Sequence, residues 1–229
     1  MPVNTKYIES FEEDQYFHIY CKAVGNNVLF NSDENRRYFL QKYAAYSNGY
    51  LETYAYCLLG NHVHWLVKCP TEENLAKYLA NAGTENLKAH QKRFLKKDIS
   101  FEEAVEFQMK DFFIAYSSAF NIMYGRSGSL FISPFRRVLV NDDMQFTNLI
   151  IYIHANPLKH KVFKDFQNYK WSSYQSILSD KPSMLKRKEV IDWFGNKELF
   201  IKTHIESAEH YYDNPFSCFP QIGTLNFKI

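Results

Sequence analysis

The chain has 229 residues, 46% hydrophobic and 17% aromatic, with 17 Tyr and 20 Phe, which is enough to bury a sizeable core and excludes a disordered chain. Only 8 Gly and 7 Pro exclude collagen-like or low-complexity organisation, and no apolar run approaches the roughly 20 residues a membrane-spanning helix needs. The formal net charge is +2, yet residues 126–190 carry 11 basic and 5 acidic side chains, a local excess that suits a polyanion about as well as it suits a solvated face.

In chain order, the opening MPVNTKYIESFEEDQ has neither a basic end nor an apolar stretch and predicts no secretory signal. Residues 17–24 (FHIYCKAV) read as a strand followed by a Gly-Asn-Asn turn. Ser32 or Asp33 caps a helix to about residue 46. Residues 50–59 and 62–68, joined by Gly60-Asn61, read as a hairpin. Thr71 caps a helix to about residue 79, with Glu72 and Glu73 in its first turn. Residues 84–110 are charged and helix-prone, and a further helix runs to about residue 124, where Gly125-Arg-Ser-Gly128 breaks it. Residues 135–140 read as a fourth strand. Asp142 or Asp143 then caps a helix expected to end at Asn156, because Pro157 follows. Beyond WSSY (171–174) come two short helices around Gly195 and an irregular last dozen residues. The cysteines (21, 57, 69, 218) show no CxxC spacing and read as reduced thiols of a cytoplasmic protein. Strands mixed with helices and joined by hairpins predict an α+β fold with a central antiparallel sheet and helices packed on it.

The sharpest local feature is Asn61-His62-Val63-His64-Trp65-Leu66-Val67. Strand alternation puts Val63, Trp65 and Val67 on a wholly apolar face and His62 and His64 together on the other. Two imidazoles two residues apart on a strand suit one metal ion, although many such pairs bind nothing. On the helix at 143–156, Gln145, Asn148, Tyr152 and Asn156 share a polar stripe beside the apolar face of Phe146, Leu149, Ile150 and Ile153. Periodicity alone does not single out Tyr152 among 17 tyrosines. His154 points away from that stripe, and His18 lies on the polar side of its strand with Lys22, where a structural role is expected.

Taken together, CLLGNHVHWLV (57–67), GRSGSLF (125–131), YIHANPLKHKV (152–162) and WSSY resemble the single-tyrosine HUH transposases, and among them the REP-associated tyrosine transposases. The resemblance implies a ferredoxin-like HUH nuclease fold over residues 1–175; the chain departs from the family pattern in a helical insertion at about 84–110 and a C-terminal helical extension over 176–229, expected to pack on the same domain. It implies that His62, His64 and Asn156 hold Mg²⁺ or Mn²⁺ and that Tyr152 is the nucleophile. The implied activity is cleavage and rejoining of single-stranded or hairpin DNA through a 5′-phosphotyrosine, by a nucleoid-associated monomer or homodimer. Arg126, Arg136, Arg137, Lys159 and Lys161 are then expected to contact DNA phosphates, and Phe131 to stack on an unpaired base. The alternatives are a relative that binds nucleic acid without cutting it and a metal-dependent phosphodiesterase that uses water.

Overall fold

A computed structural model describes residues 7–213, with side chains described to 208; the irregular tail and Cys218 lie outside the described residues. Four strands, β1 (Tyr16–Lys22), β2 (Glu52–Leu58), β3 (His62–Lys68) and β4 (Arg136–Val140), form one sheet in the order β2-β3-β1-β4, every pair antiparallel. With α1 (Asp33–Ser47) between β1 and β2 and helices between β3 and β4, this is the split βαβ arrangement of ferredoxin-like folds. The α+β reading with a central antiparallel sheet is the observed architecture.

Register decides which residues share a face. Phe17, Ile19 and Cys21 of β1 lie opposite Val67, Trp65 and Val63 of β3, while His18, Tyr20 and Lys22 lie opposite Leu66, His64 and His62. The first set meets α1 and the long helix α4 (Phe101–Met123). There Trp65 is fully buried, its ring near parallel to Phe39 and Tyr43 at 5.7 and 5.2 Å and edge-on to Phe112 at 6.4 Å. The other face meets α5 (Asp143–Lys159), which packs on β2 and β3.

Local chemistry starts these helices as the sequence predicts. Ser32 accepts from the Asn35 amide at the start of α1, Ser100 and Glu103 form a reciprocal capping box on α4, and Asp142 accepts from the Gln145 amide of α5 at 2.7 Å, each satisfying an amide that the helix cannot. The Gly125 and Gly128 backbones adopt φ of 58° and 84°, which lets the chain turn back so that Leu130 and Ile132 bond to the end of β1. Residues 171–173 bond to β2 through Leu58, Tyr56 and Ser173.

Two boundaries differ from the sequence reading. Pro157 lies inside α5 instead of ending it; it removes one amide from the last turn, but the helix continues and the His160 amide bonds to the Asn156 carbonyl at 3.0 Å. Residues 84–110 are not a discrete unit: after α2 (Glu72–Asn81) they contain a 3-10 turn, α3 (Ala89–Leu95) and the first ten residues of α4, whose Val105 and Met109 are in the core. The segment after 175 forms α6 (Tyr174–Leu178), α7 (Arg187–Phe194) and α8 (Lys197–Asp213). Helix α8 packs on α5 and so covers its outer side.

Candidate active site

The face of β3 turned to α5 brings His62 and His64 together, with ring centroids 5.1 Å apart and planes at 88°. Tyr152, on the inner side of α5, sits edge-on to His64 at 5.7 Å and to His18 at 6.2 Å. One turn later Asn156 is completely buried. Its Nδ2 donates to the Tyr152 carbonyl at 2.7 Å, while its Oδ1 is buried with no hydrogen-bond partner. Tyr152 of the polar stripe read from the sequence therefore faces the histidines, and the same chain supplies the tyrosine, both histidines and the amide.

Burial dominates the electrostatics. It pushes the Tyr152 phenol up to about 12, against a smaller lowering by Asn156. It pushes His62 down to about 3, aided by His160, Lys22 and Lys159, and His64 well below the usual imidazole range, aided by His62, His18, His160 and Lys159. Both imidazoles are consequently neutral near pH 7, the form that offers a lone pair to a metal. His62 Nδ1 stands 2.7 Å from Asn61 Oδ1. That oxygen only accepts, so Nδ1 carries the proton and Nε2 keeps its lone pair.

Two neutral imidazoles and an amide oxygen lacking a hydrogen-bond partner fit a divalent ion, and the unpartnered Asn156 Oδ1 is the observation that favours it: a buried acceptor left unmade costs about 1–3 kcal/mol. Among the described residues no group of three or more His, Cys, Asp or Glu is placed to hold a metal, so an ion here depends on the amide and on an incoming ligand. The flanking charges are cationic. The Lys159 ammonium lies 4.6 Å from the centre of the Tyr152 ring, and the exposed His160 ring is edge-on to His62 at 4.6 Å.

The residues expected to touch DNA divide. Lys159, His160 and Lys161 follow the tyrosine at the end of α5, and Lys161 is exposed. Arg136 begins β4 opposite Tyr20, next to the histidine face. Arg126 is bonded to Asn121 at 3.2 Å and set over the Phe120 ring. Two expectations are corrected. Arg137 is buried, paired with Glu102 and Glu106 at 3.2 and 3.4 Å and bonded to the Glu9 carbonyl, because strand alternation turns it away from the histidine face and towards α4. Phe131 is in the core against Phe113 and Tyr116, because the segment carrying it pairs with the end of β1.

Sequence reasoning underrated the β1 contribution. His18 is almost completely buried, with its Nε2 2.9 Å from His64 Nδ1, and Tyr20 stacks near His64 at 5.8 Å with its buried hydroxyl unpartnered. The period-2 pattern already put His18, Tyr20 and Lys22 on one face. What it lacked was the pairing of β1 with β3, which joins that face to the histidines.

No family model matches the chain. A protein of Haemophilus influenzae assigned to the REP-associated tyrosine transposases is 26% identical over 160 residues, covering 67% of this chain and 73% of that protein. A solved structure of a REP-associated tyrosine transposase bound to a REP hairpin aligns with a TM-score of 0.49 and 14% identity, over 80% of this chain and 89% of that one. Among the described residues no helix is long and apolar enough to cross a membrane.

Proposed function

We infer that this chain, which belongs to the REP-associated tyrosine transposases, cuts and rejoins single-stranded DNA through a covalent bond to Tyr152. The observation that carries the reading is the juxtaposition in one chain of a buried tyrosine, its ring 5.7 Å from that of His64, with an amide oxygen left unpartnered one turn later. A core tyrosine would have no use for either.

The Tyr152 oxygen attacks the scissile phosphorus, the bond from phosphorus to the 3′ oxygen breaks, and the 3′ oxygen takes up a proton. The phenolic proton leaves to solvent. The phosphodiester is exchanged for a phosphotyrosine of similar energy, so a later 3′-hydroxyl reverses the step and rejoins the strand. A phenol held near 12 is almost wholly protonated at neutral pH, and its ionisation needs positive charge close by. Lys159 supplies one such charge. Mg²⁺ or Mn²⁺, held by His62, His64 and Asn156, would polarise the scissile phosphate and add to that charge. Asn156 also fixes the backbone turn that presents Tyr152. One chain supplies the tyrosine, both histidines and the amide, which supports cleavage by a monomer.

The substrate we propose is a DNA hairpin with an unpaired flank. Lys22, Lys159 and His160 lie close enough to act electrostatically on His62, and Arg136 on Tyr20, and these groups suit backbone phosphates. The test is covalent trapping: the protein, labelled hairpin DNA from the flanks of its gene, and Mn²⁺ or Mg²⁺, resolved on a denaturing gel. The expected result is a metal-dependent adduct absent from Tyr152→Phe. Cleavage without an adduct that persists in Tyr152→Phe would instead make water the nucleophile, and binding without cleavage would make the chain a non-cutting relative.

A further inference from the structure

We propose that His18 is a positioning residue of this site: it accepts the Nδ1 proton of His64 and thereby leaves the His64 Nε2 lone pair for the metal. The inference rests on the reading of His62 and His64 as ligands. A neutral imidazole carries one proton, so a ring that ligates through one nitrogen must hold its proton on the other, and that proton needs an acceptor. For His62 the acceptor is Asn61 Oδ1 at 2.7 Å. For His64 the neighbour of Nδ1 is neither a carbonyl nor a carboxylate but His18 Nε2, at 2.9 Å.

Two arrangements of the shared proton are possible, and they have opposite consequences. With the proton on His18 Nε2, His64 carries its own proton on Nε2 and has no lone pair to offer there. With the proton on His64 Nδ1, the Nε2 lone pair is free, and His18 must hold its single proton on Nδ1. That atom is buried and has no hydrogen-bond partner. His18 Nδ1 is unmade in either arrangement, as an acceptor in the first and a donor in the second, so its burial decides little between them, and an occupied metal site selects the second. The ring contacts restrain His64 in the same sense. His18 stacks on it at 5.2 Å and 19°, Tyr20 lies at 5.8 Å and 26°, and Tyr152 meets its edge, so the imidazole has little freedom to turn and exchange its nitrogens.

The experiment uses the full chain. Long-range proton–nitrogen correlation on ¹⁵N-histidine protein with diamagnetic Mg²⁺ and hairpin DNA reports which His64 nitrogen bears hydrogen, and Mn²⁺ titration followed by electron paramagnetic resonance, with and without hairpin DNA, reports affinity. The expected results are a protonated His64 Nδ1, an affinity about 10–100-fold weaker in His18→Leu, and recovery of most of that loss in His18→Gln, whose amide oxygen restores an acceptor. A His64 proton on Nε2, or equal Mn²⁺ affinity in His18→Leu and wild type, overturns the proposal, as does His18→Gln being no better than a folded His18→Leu. If wild type binds Mn²⁺ and His64→Ala abolishes it while His18→Leu does not, only the role of His18 falls. If wild type binds no Mn²⁺ with or without DNA, the metal reading of His62 and His64 falls, and His18 with it.

Discussion

Two pairs of hydrogen-bonded histidines flank the tyrosine helix, and they are built differently. Behind α5, His154 and His204 belong to a closed chain. His204 Nδ1 donates to the Phe200 carbonyl at 2.7 Å, so its Nε2 accepts from His154 Nδ1 at 2.9 Å. His154 Nε2 in turn accepts from the Ser173 hydroxyl at 2.8 Å, and Ser173 Oγ accepts from the Tyr56 amide at 2.9 Å. Every nitrogen has a partner, and the chain ties α8, α5 and β2 together. In front of α5, the His18–His64 pair leaves His18 Nδ1 unmade, and the neighbouring Tyr20 hydroxyl and the Asn156 Oδ1 of α5 are unmade too. Both pairs are buried and neutral. A satisfied polar network rigidifies a fold, whereas buried groups left open mark where a ligand completes the set.

Exchanging the damage between the two pairs tests that contrast most severely. His64→Ala should abolish the metal-dependent adduct at a smaller cost in melting temperature than His154→Ala, because its pair is already incomplete. His154→Ala should do the reverse. It empties a buried ring and strands Ser173 and His204, for about 2–4 kcal/mol, or a fall of roughly 5–15 °C in a domain of this size, with adduct formation retained below the transition. Thermal melts and adduct gels on both variants decide it, and matching losses of stability would remove the distinction between the pairs.

Acid should act on both pairs with the same sign. Burial holds His204 near 4 and His18 and His62 near 3 in the folded chain, and holds His154 and His64 well down, against about 6.5 unfolded. The unfolded chain thus binds more protons between those values. Stability is full above about pH 6.5 and falls as pH drops towards 4, by up to about 1.4 kcal/mol per pH unit for each histidine that stays neutral. Urea midpoints between pH 8 and 5 measure the slope, and His154→Gln should flatten it; a midpoint independent of pH across that range would show that these rings titrate normally.

A smaller effect separates the open pair from the closed one by its ligands. The front site has neutral donors and cationic neighbours, Lys22 and Lys159, so Mn²⁺ alone meets a repulsive field there. A DNA phosphate brought to the site changes the sign. Mn²⁺ should bind at least about 5–10-fold more tightly with hairpin DNA present, and by linkage the DNA should bind more tightly with Mn²⁺ by the same factor. Equal Mn²⁺ affinity with and without DNA, from the same resonance titration, would mean that the phosphate is not a ligand.

How much of this the sequence carried depended on whether the cause was local. The shared face of His62 and His64 was legible from strand alternation, the shared stripe of Tyr152 and Asn156 from helical spacing, and the caps from single residues, but spacing did not single out Tyr152 among the tyrosines. The motif resemblance joined them into one site before any geometry did. What was not legible depended on partners distant in sequence. His18 gains its meaning only from β1 lying against β3. His154 gains its own from α8, 50 residues later. Pro157 looked like a helix end because its local effect is to remove an amide, yet α5 is held on both sides, by the sheet and by α8, and continues past it.

Arg137 and Lys161 give the smallest and most diagnostic difference, because both looked like phosphate contacts in the sequence. Lys161 is exposed just after the helix that carries Tyr152. Removing one phosphate contact should weaken hairpin binding by only a few-fold, about 0.5–1 kcal/mol, and lower the salt slope by about 1. Arg137 is buried between Glu102 and Glu106, whose carboxylates are partly solvated, so Arg137→Ala should cost stability, about 1–3 kcal/mol, and leave the salt slope of binding where it was. Binding isotherms over a range of KCl concentrations, with a melt of each variant, separate the two. If Arg137→Ala lowered the slope while the melt stayed unchanged, the side chain would have to leave its carboxylates to reach DNA, and the buried pair would be a latch, not part of the frame.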